Sequence, residues 1–106
     1  MGVDEALLQE MVRRILTVAR PDKIILFGSA ARGEMTKDSD IDLLVVEPAF
    51  ESNVHRSNEL RAALGDVGWP VDVIMMRTAR FEETKRYIGG LAYPANKYGR
   101  VIYEAA

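Results

Sequence analysis

The sequence contains no cysteine among its 106 residues. A disulfide framework and a thiolate-bound metal site are therefore excluded, and the absence of cysteine fits a reducing compartment. Aromatic residues make up only 8% of the chain, while 48% of the residues are hydrophobic and 28% are charged. This composition is ordinary for a soluble globular protein.

The sequence also lacks any apolar run that approaches the length of about 20 residues needed to span a membrane. The first residues, MGVDEALLQEMVRRIL, are amphipathic and do not show the basic start and continuous apolar stretch of a signal peptide. We therefore expect a cytoplasmic protein. The formal net charge is −2, which disfavours nucleic acid as the main ligand because duplex-binding modules carry a basic excess.

Hydrophobic periodicity predicts one domain, residues 1–106, in which helices alternate with strands. Helices are predicted at residues 4–19, briefly after Ser29, at residues 52–64 and, capped by Thr78, at residues 78–88. Apolar runs predict strands at residues 23–28, 40–47 and 69–76, with a short edge strand at residues 99–104. The alternation predicts an α/β or α+β fold, with helices packed against a sheet.

Two aspartates, Asp40 and Asp42, open the second predicted strand. Residues two apart share one face of a strand and lie about 6.6 Å apart along it. Asp72 lies near the start of the next strand, and it joins the other two if the strands are neighbours. For any single aspartate a solvated strand end is the commoner explanation.

Three clustered carboxylates need compensation, because two of them about 5 Å apart repel by about 3 kcal/mol at an effective dielectric constant near 20. Protons, basic partners or cations can supply that compensation. Mg²⁺ prefers oxygen ligands, and a pair of carboxylate-bridged metal ions is the usual arrangement for phosphoryl and nucleotidyl transfer. The three aspartates therefore predict a magnesium site, formed by Asp40, Asp42 and Asp72.

The dipeptide Gly28-Ser29 lies between a predicted strand and a predicted helix start. Glycine permits close backbone approach, serine offers a hydroxyl group, and a helix N-terminus presents free N–H groups, which together suit a triphosphate. A simple strand-to-helix turn, with Ser29 as the N-cap, is commoner for an isolated Gly-Ser. The dipeptide gains weight from the Asp-x-Asp pair downstream.

The segment GSAARGEMTKDSDIDLLVV, from Gly28 to Val46, resembles the Gly-Ser, Arg-Gly and Ser-Asp-x-Asp-Leu pattern of the minimal nucleotidyltransferases of the DNA polymerase beta superfamily. Asp72 in PVDVIMM matches the third acid of that family, and YGRVIYE also resembles family members. The resemblance implies a small mixed sheet flanked by helices, similar to the polymerase beta palm. It also implies transfer of a nucleoside monophosphate, most commonly from ATP, with pyrophosphate as the leaving group.

The resemblance implies a role for each matching residue. Asp40 and Asp42 would bind two metal ions, and Asp72 would help to hold the catalytic ion and assist deprotonation of the acceptor. The implied nucleotide-binding residues are Gly28, Ser29, Arg32 and Ser39. For Arg32, both phosphate neutralisation and a structural ion pair to an acid remain open.

Minimal proteins of this family are often encoded beside a HEPN-domain toxin, an RNase-like helical protein. The resemblance therefore implies an antitoxin that transfers AMP to a HEPN-domain partner. Two alternatives stay open, namely neutralisation of the partner by binding alone, and transfer to a small molecule or an RNA end.

Other polar residues carry weaker signals. His55 is expected to be a solvated histidine on a polar helix. Six basic residues of the C-terminal half could line one side of a cleft or form a scattered solvated surface: Arg77, Arg80, Lys85, Arg86, Lys97 and Arg100.

Overall fold

The computed structural model describes residues 3–106, so the first two residues of the predicted domain lie outside the described part. Within that part, four strands form one sheet: β1 (Lys23–Phe27), β2 (Ile41–Glu47), β3 (Val71–Arg77) and β4 (Arg100–Glu104). Five helices accompany them: α1 (Glu5–Ile15), α2 (Ser29–Arg32), α3 (Asn53–Leu64), α4 (Thr78–Thr84) and α5 (Ala92–Tyr98). None of these helices has both the length and the apolar character needed to cross a membrane.

The sheet is mixed, with the strands in the order β3-β2-β1-β4. Strand β1 runs antiparallel to both of its neighbours, β2 and β4, whereas β2 and β3 run parallel. Parallel neighbours need a crossover connection, and α3 provides it. The predicted fold, a small mixed sheet flanked by helices, is confirmed.

Helices cover both faces of the sheet. Alternate residues of the central strand β2 point to opposite faces, so they pack against different helices. On one face, Ile41, Leu43 and Val45 pack in a cluster with buried side chains of α1 and α3. On the other face, Leu44 and Val46 pack with buried side chains of α4 and α5, namely Phe81, Ala92 and Ala95. Asp42 lies two residues before Leu44, so it shares the face that α4 and α5 cover further along the strand.

Hydrogen-bonding side chains fix the starts of the two longest helices. The carboxylate of Asp4 accepts from the Ala6 N–H at 3.0 Å, and the hydroxyl of Ser52 accepts from the His55 N–H at 3.2 Å. The predicted cap at Thr78 is wrong, since α4 has no side-chain cap hydrogen bond. The Thr78 hydroxyl instead donates to Oδ2 of Asp22 at 2.5 Å, which ties α4 to the segment before β1.

The C-terminal helices differ from the sequence-based prediction. The predicted helix 78–88 ends at Thr84, and α5, which was not predicted, follows a turn with Gly89 and Gly90 at positive φ. Pro94 makes α5 hard to predict from the sequence, because proline usually interrupts helices. Proline is nevertheless tolerated in the first turn of a helix, where the N–H lacks an intrahelical partner. Helix α1 also ends earlier than predicted, at Ile15, yet Ala19 beyond it is buried.

Candidate active site

Three strand termini meet at one end of the sheet, and each contributes a predicted site residue. Asp42 on β2 is the register partner of Phe27, the last residue of β1, and of Asp72 on β3. Asp40 lies directly before β2, which begins at Ile41 rather than at Asp40 as predicted. The register therefore makes Asp42 and Asp72 neighbours, as the acid-cluster prediction required.

Asp42 is the most enclosed of the three acids. It is half-buried, whereas Asp40 and Asp72 are exposed. Burial, together with the negative charges of Asp72 and Asp40, raises the pKa of the Asp42 carboxyl above its ordinary value. The site thus concentrates negative charge around Asp42, and a cation placed there would favour its ionised form.

Gly28 directly follows β1 and lies against the Asp42 carboxylate. A Cβ atom at Gly28 would collide with Oδ2 of Asp42. The backbone of Gly28 also has φ +70°, a region that L side chains rarely adopt. Both observations require glycine at this position, and they place the Gly28-Ser29 turn next to the acid on β2.

Ser39 and Thr36 shape the loop that leads into Asp40. The Thr36 N–H donates to the Ser39 hydroxyl oxygen at 2.9 Å, and the Ser39 N–H donates to the Thr36 carbonyl at 3.0 Å. These bonds close a tight turn immediately before Asp40. In this structure the Ser39 side chain therefore stabilises the loop, a local role that the sequence did not reveal.

Arg32 forms an ion pair with a neighbouring acid. Its Nε donates to Oε1 of Glu34 at 3.0 Å, and both side chains are more than half exposed. This contact matches the structural alternative left open for Arg32. An exposed pair of this kind holds weakly, by at most about 1 kcal/mol, so phosphate oxygens could replace it.

Asp72 also has a basic partner that sequence reasoning missed. Nη1 of Arg61, on α3, lies 3.8 Å from Oδ1 of Asp72. Arg61 stands 11 positions before Asp72 in the printed sequence, and only the packing of the crossover helix against β3 brings the two together. The charge pattern of α3 alone contained no signal for this pair.

The chemistry of the donor set fits a divalent cation, because Asp40, Asp42 and Asp72 offer carboxylate oxygens, the ligands that Mg²⁺ prefers. Within residues 3–106, however, no group of three or more acidic, histidine or cysteine side chains is already gathered closely enough to hold a metal ion. The three aspartates are therefore neighbours with suitable ligand atoms, but their carboxylates do not yet surround a single metal position.

The remaining candidates lie elsewhere or are engaged in other contacts. Arg77 donates to the Phe50 carbonyl, Lys85 pairs with Glu82, and Arg100 pairs with Glu5. The His55 side chain is 81% exposed, so the expectation of a solvated histidine is confirmed. A cavity of about 530 Å³ lies beyond the opposite end of β2, lined by residues 49–52 and by α3, and the acids do not line it.

Comparisons with known proteins agree with this architecture. The family model described as nucleotidyltransferase domain matches residues 5–93. A Methanocaldococcus jannaschii protein named "Putative protein adenylyltransferase MJ0604" is 47% identical over 45 residues, which cover 41% of this chain. That match spans 45% of the relative, less than half of its length.

A solved structure shows the same fold. The crystal structure of a "putative nucleotidyltransferase" from Sulfolobus solfataricus is similar to this chain with a TM-score of 0.63 and 22% sequence identity. The similarity covers 94% of this chain and 79% of the other.

Proposed function

Because this chain belongs to the nucleotidyltransferase domain family, we propose that it is a Mg²⁺-dependent enzyme that transfers AMP from ATP to a protein. The observation that carries the proposal is the pairing of Asp42 with Asp72 across β2 and β3, with Asp40 beside them. Like charges repel strongly at a half-buried position. Bound cations would offset that repulsion, as they would in a phosphate-transfer site.

The residues of the site divide into cation ligands and phosphate ligands. Asp40, Asp42 and Asp72 would hold two Mg²⁺ ions, which when bound would neutralise the negative charge that develops on the triphosphate. Gly28 allows the chain to turn closely at the acids, so Gly28 and Ser29 would contact the β- and γ-phosphates. Arg32 and Ser39 lie at the two ends of the loop that connects α2 to β2. They complete the proposed set of nucleotide-binding residues.

The reaction that these residues would support is a substitution at the α-phosphorus. An acceptor hydroxyl oxygen bonds to that phosphorus while the bond to the bridging oxygen of the β-phosphate breaks, and pyrophosphate leaves. The exposed carboxylate of Asp72 would accept the hydroxyl proton. Asp42, which is half-buried beside its acidic neighbours, would remain at the centre of the site.

A protein acceptor is favoured by two observations. The Methanocaldococcus jannaschii relative carries a name that specifies protein adenylylation. The net charge of −2 offers no basic excess for an RNA substrate. We propose a HEPN-domain protein as the acceptor, which follows from the resemblance of the Gly28–Val46 segment to minimal nucleotidyltransferases. We also propose the cytoplasm as the location.

A binding-only antitoxin is the second candidate, and exposed apolar side chains favour it. Tyr87 and Ile88, in the turn between α4 and α5, are 70% and 87% exposed. Adjacent apolar side chains on a surface suit a partner interface. In this case the partner would be neutralised without nucleotide chemistry, and Asp42→Asn would neutralise it as well as the wild type does.

Transfer of radiolabel from ATP tests the enzymatic proposal. Wild-type protein, Mg²⁺ and the neighbouring gene's product are incubated with ATP labelled either at the α- or at the γ-phosphate. We expect label on the acceptor from α-labelled ATP only, and none with Asp42→Asn. Asp38→Asn is the matched control, because Asp38 is an exposed acid of the preceding loop. Label from γ-labelled ATP would indicate a kinase and would contradict the proposal.

A further inference from the structure

Arg61 projects from the crossover helix towards the acid on β3. It follows Leu60, which is fully buried and anchors α3 against the sheet. The guanidinium Nη2 donates to Oδ1 of Asn58 at 2.7 Å, and this bond on the helix surface orients the side chain. Nη1 then lies 3.8 Å from Oδ1 of Asp72. The local geometry of α3 thus delivers a positive charge to the third acid.

The contact between Arg61 and Asp72 is weak enough to be exchanged. The Arg61 side chain is 44% exposed and that of Asp72 is 57% exposed. Exposed ion pairs are screened by water and hold by at most about 1 kcal/mol. The pair can therefore form when Asp72 has no stronger partner, and it can break when one arrives.

The pair also bears on cation binding by the acids. Asp72 is the register neighbour of Asp42, yet within residues 3–106 the acids have not gathered into a metal-binding group. A carboxylate that contacts a guanidinium is partly neutralised and loses some of its attraction for a cation. Arg61 and a divalent cation therefore compete for the same carboxylate, that of Asp72.

We propose that Arg61 is a positioning residue that competes with divalent cations for Asp72 and so holds the site below its full cation affinity. This inference rests on the proposed function, because it requires the acids to bind a cation. An arriving cation must displace the guanidinium from Asp72. The affinity of the acids for a cation is then set partly by α3, which lies outside the Gly28–Val46 segment.

Titration with Mn²⁺ alone, followed by isothermal calorimetry in the absence of nucleotide, tests the proposal. Arg61→Gln removes the charge at an exposed position, and we expect it to bind Mn²⁺ about two- to fivefold more tightly than the wild type. Arg61→Lys keeps the charge and should retain the wild-type affinity. Arg80→Gln removes the same charge from an exposed position of α4, beyond the other end of β3, and should also leave the affinity unchanged.

The Asp72→Asn background separates competition at Asp72 from a general effect of charge. In that background Arg61→Gln should no longer change the Mn²⁺ affinity. An unchanged or weaker affinity in the single variant overturns the inference, as does a gain that persists in the Asp72→Asn background.

The inference and the proposed function can fail separately. Normal Mn²⁺ binding with no effect of Arg61→Gln removes the inference and leaves the function standing. The expected affinity pattern without AMP transfer keeps the inference and removes the function. If neither the wild type nor Arg61→Gln binds Mn²⁺, both the inference and the metal requirement fall.

Discussion

The Asp42 carboxylate lies where the side chain of any residue other than glycine at position 28 would have to begin. A Cβ atom on Gly28 would collide with Oδ2 of Asp42. The end of β1 and the start of β2 are thereby packed together, and the register pair Phe27–Asp42 keeps them aligned. The turn proposed to bind phosphate and the acid proposed to bind metal are thus one structural unit.

The first prediction concerns this contact. Gly28→Ala adds the collision with Asp42 to the strain of a positive φ, so we expect a loss of about 2–3 kcal/mol in the free energy of unfolding. AMP transfer should be lost as well, because the Asp42 carboxylate must move. Urea denaturation measures the first effect, and radiolabel transfer measures the second.

Gly65→Ala is the matched control for Gly28→Ala. Gly65 has φ +62° and ψ −151°, close to the +70° and −154° of Gly28, but an added Cβ atom there would meet only Nη1 of Arg14 at 3.8 Å, an ordinary van der Waals contact. The control should lose only the conformational cost of about 1–2 kcal/mol and keep its activity. Equal losses in the two variants would show that the contact with Asp42 is unimportant.

The second prediction is that Asp42→Asn stabilises the fold while it abolishes activity. Burial and the neighbouring acids raise the pKa of Asp42, so its ionised form is disfavoured in the folded state. The substitution should raise the free energy of unfolding at neutral pH by up to about 1 kcal/mol, after allowance for solvent screening. A destabilised Asp42→Asn variant would argue against a repulsive acid cluster.

The pH dependence of this effect has a definite sign. In the folded protein Asp42 holds its proton to a higher pH than in the unfolded chain, where its pKa is near 3.8. Its unfavourable contribution is therefore absent below that pH and develops as the pH rises through the folded-state pKa. The stabilities of the variant and the wild type, measured across this range, should converge at the acid end.

The third prediction concerns a buried ion pair at the other end of β2. Glu47 is only 4% exposed, and both of its carboxylate oxygens accept from Arg56 at 2.8 Å. Arg56→Ala would leave this carboxylate buried without its charged partner, so we expect a loss of about 2–4 kcal/mol in the free energy of unfolding. The residual activity per folded molecule should be unchanged, because the pair lies far from the acids on the same strand.

The Glu47–Arg56 pair should also shape acid unfolding. The hydrogen bonds from Arg56 lower the pKa of Glu47 below its ordinary value of 4.5. The stabilisation is fully present above pH 4.5 and is lost as the pH falls through the lower, folded-state pKa. Arg56→Ala should show less of this acid loss. Arg100→Ala, which breaks the exposed pair with Glu5, is the control and should leave the acid transition in place.

The sequence predicted the sheet well because each strand coincides with a short apolar run. The runs at β2 and β3 carry aspartates only near their starts, so they also predicted which residues would cluster. The sequence left open whether the two strands are neighbours, and the register of Asp42 with Asp72 answers that question. The catalytic roles of the acids stay predictions.

Other features depend on packing that no local pattern encodes. Helix α5 is short, contains Pro94 and is held by Ala92 and Ala95 against the sheet, so its stability is tertiary rather than local. The pairing of Arg61 with Asp72 requires knowledge of how α3 is rotated over β3. The turn closed by Thr36 and Ser39 depends on side-chain hydrogen bonds rather than on hydrophobic periodicity.

Intact-mass spectrometry of two proteins tests the central claim most directly. The wild-type chain and the product of its neighbouring gene are incubated with ATP and Mg²⁺, and both are then weighed, with Asp42→Asn as the control. We predict that the neighbour gains the mass of one or more AMP units with the wild type and none with the variant. A stable complex in which neither protein gains mass would contradict protein adenylylation and would favour neutralisation by binding alone.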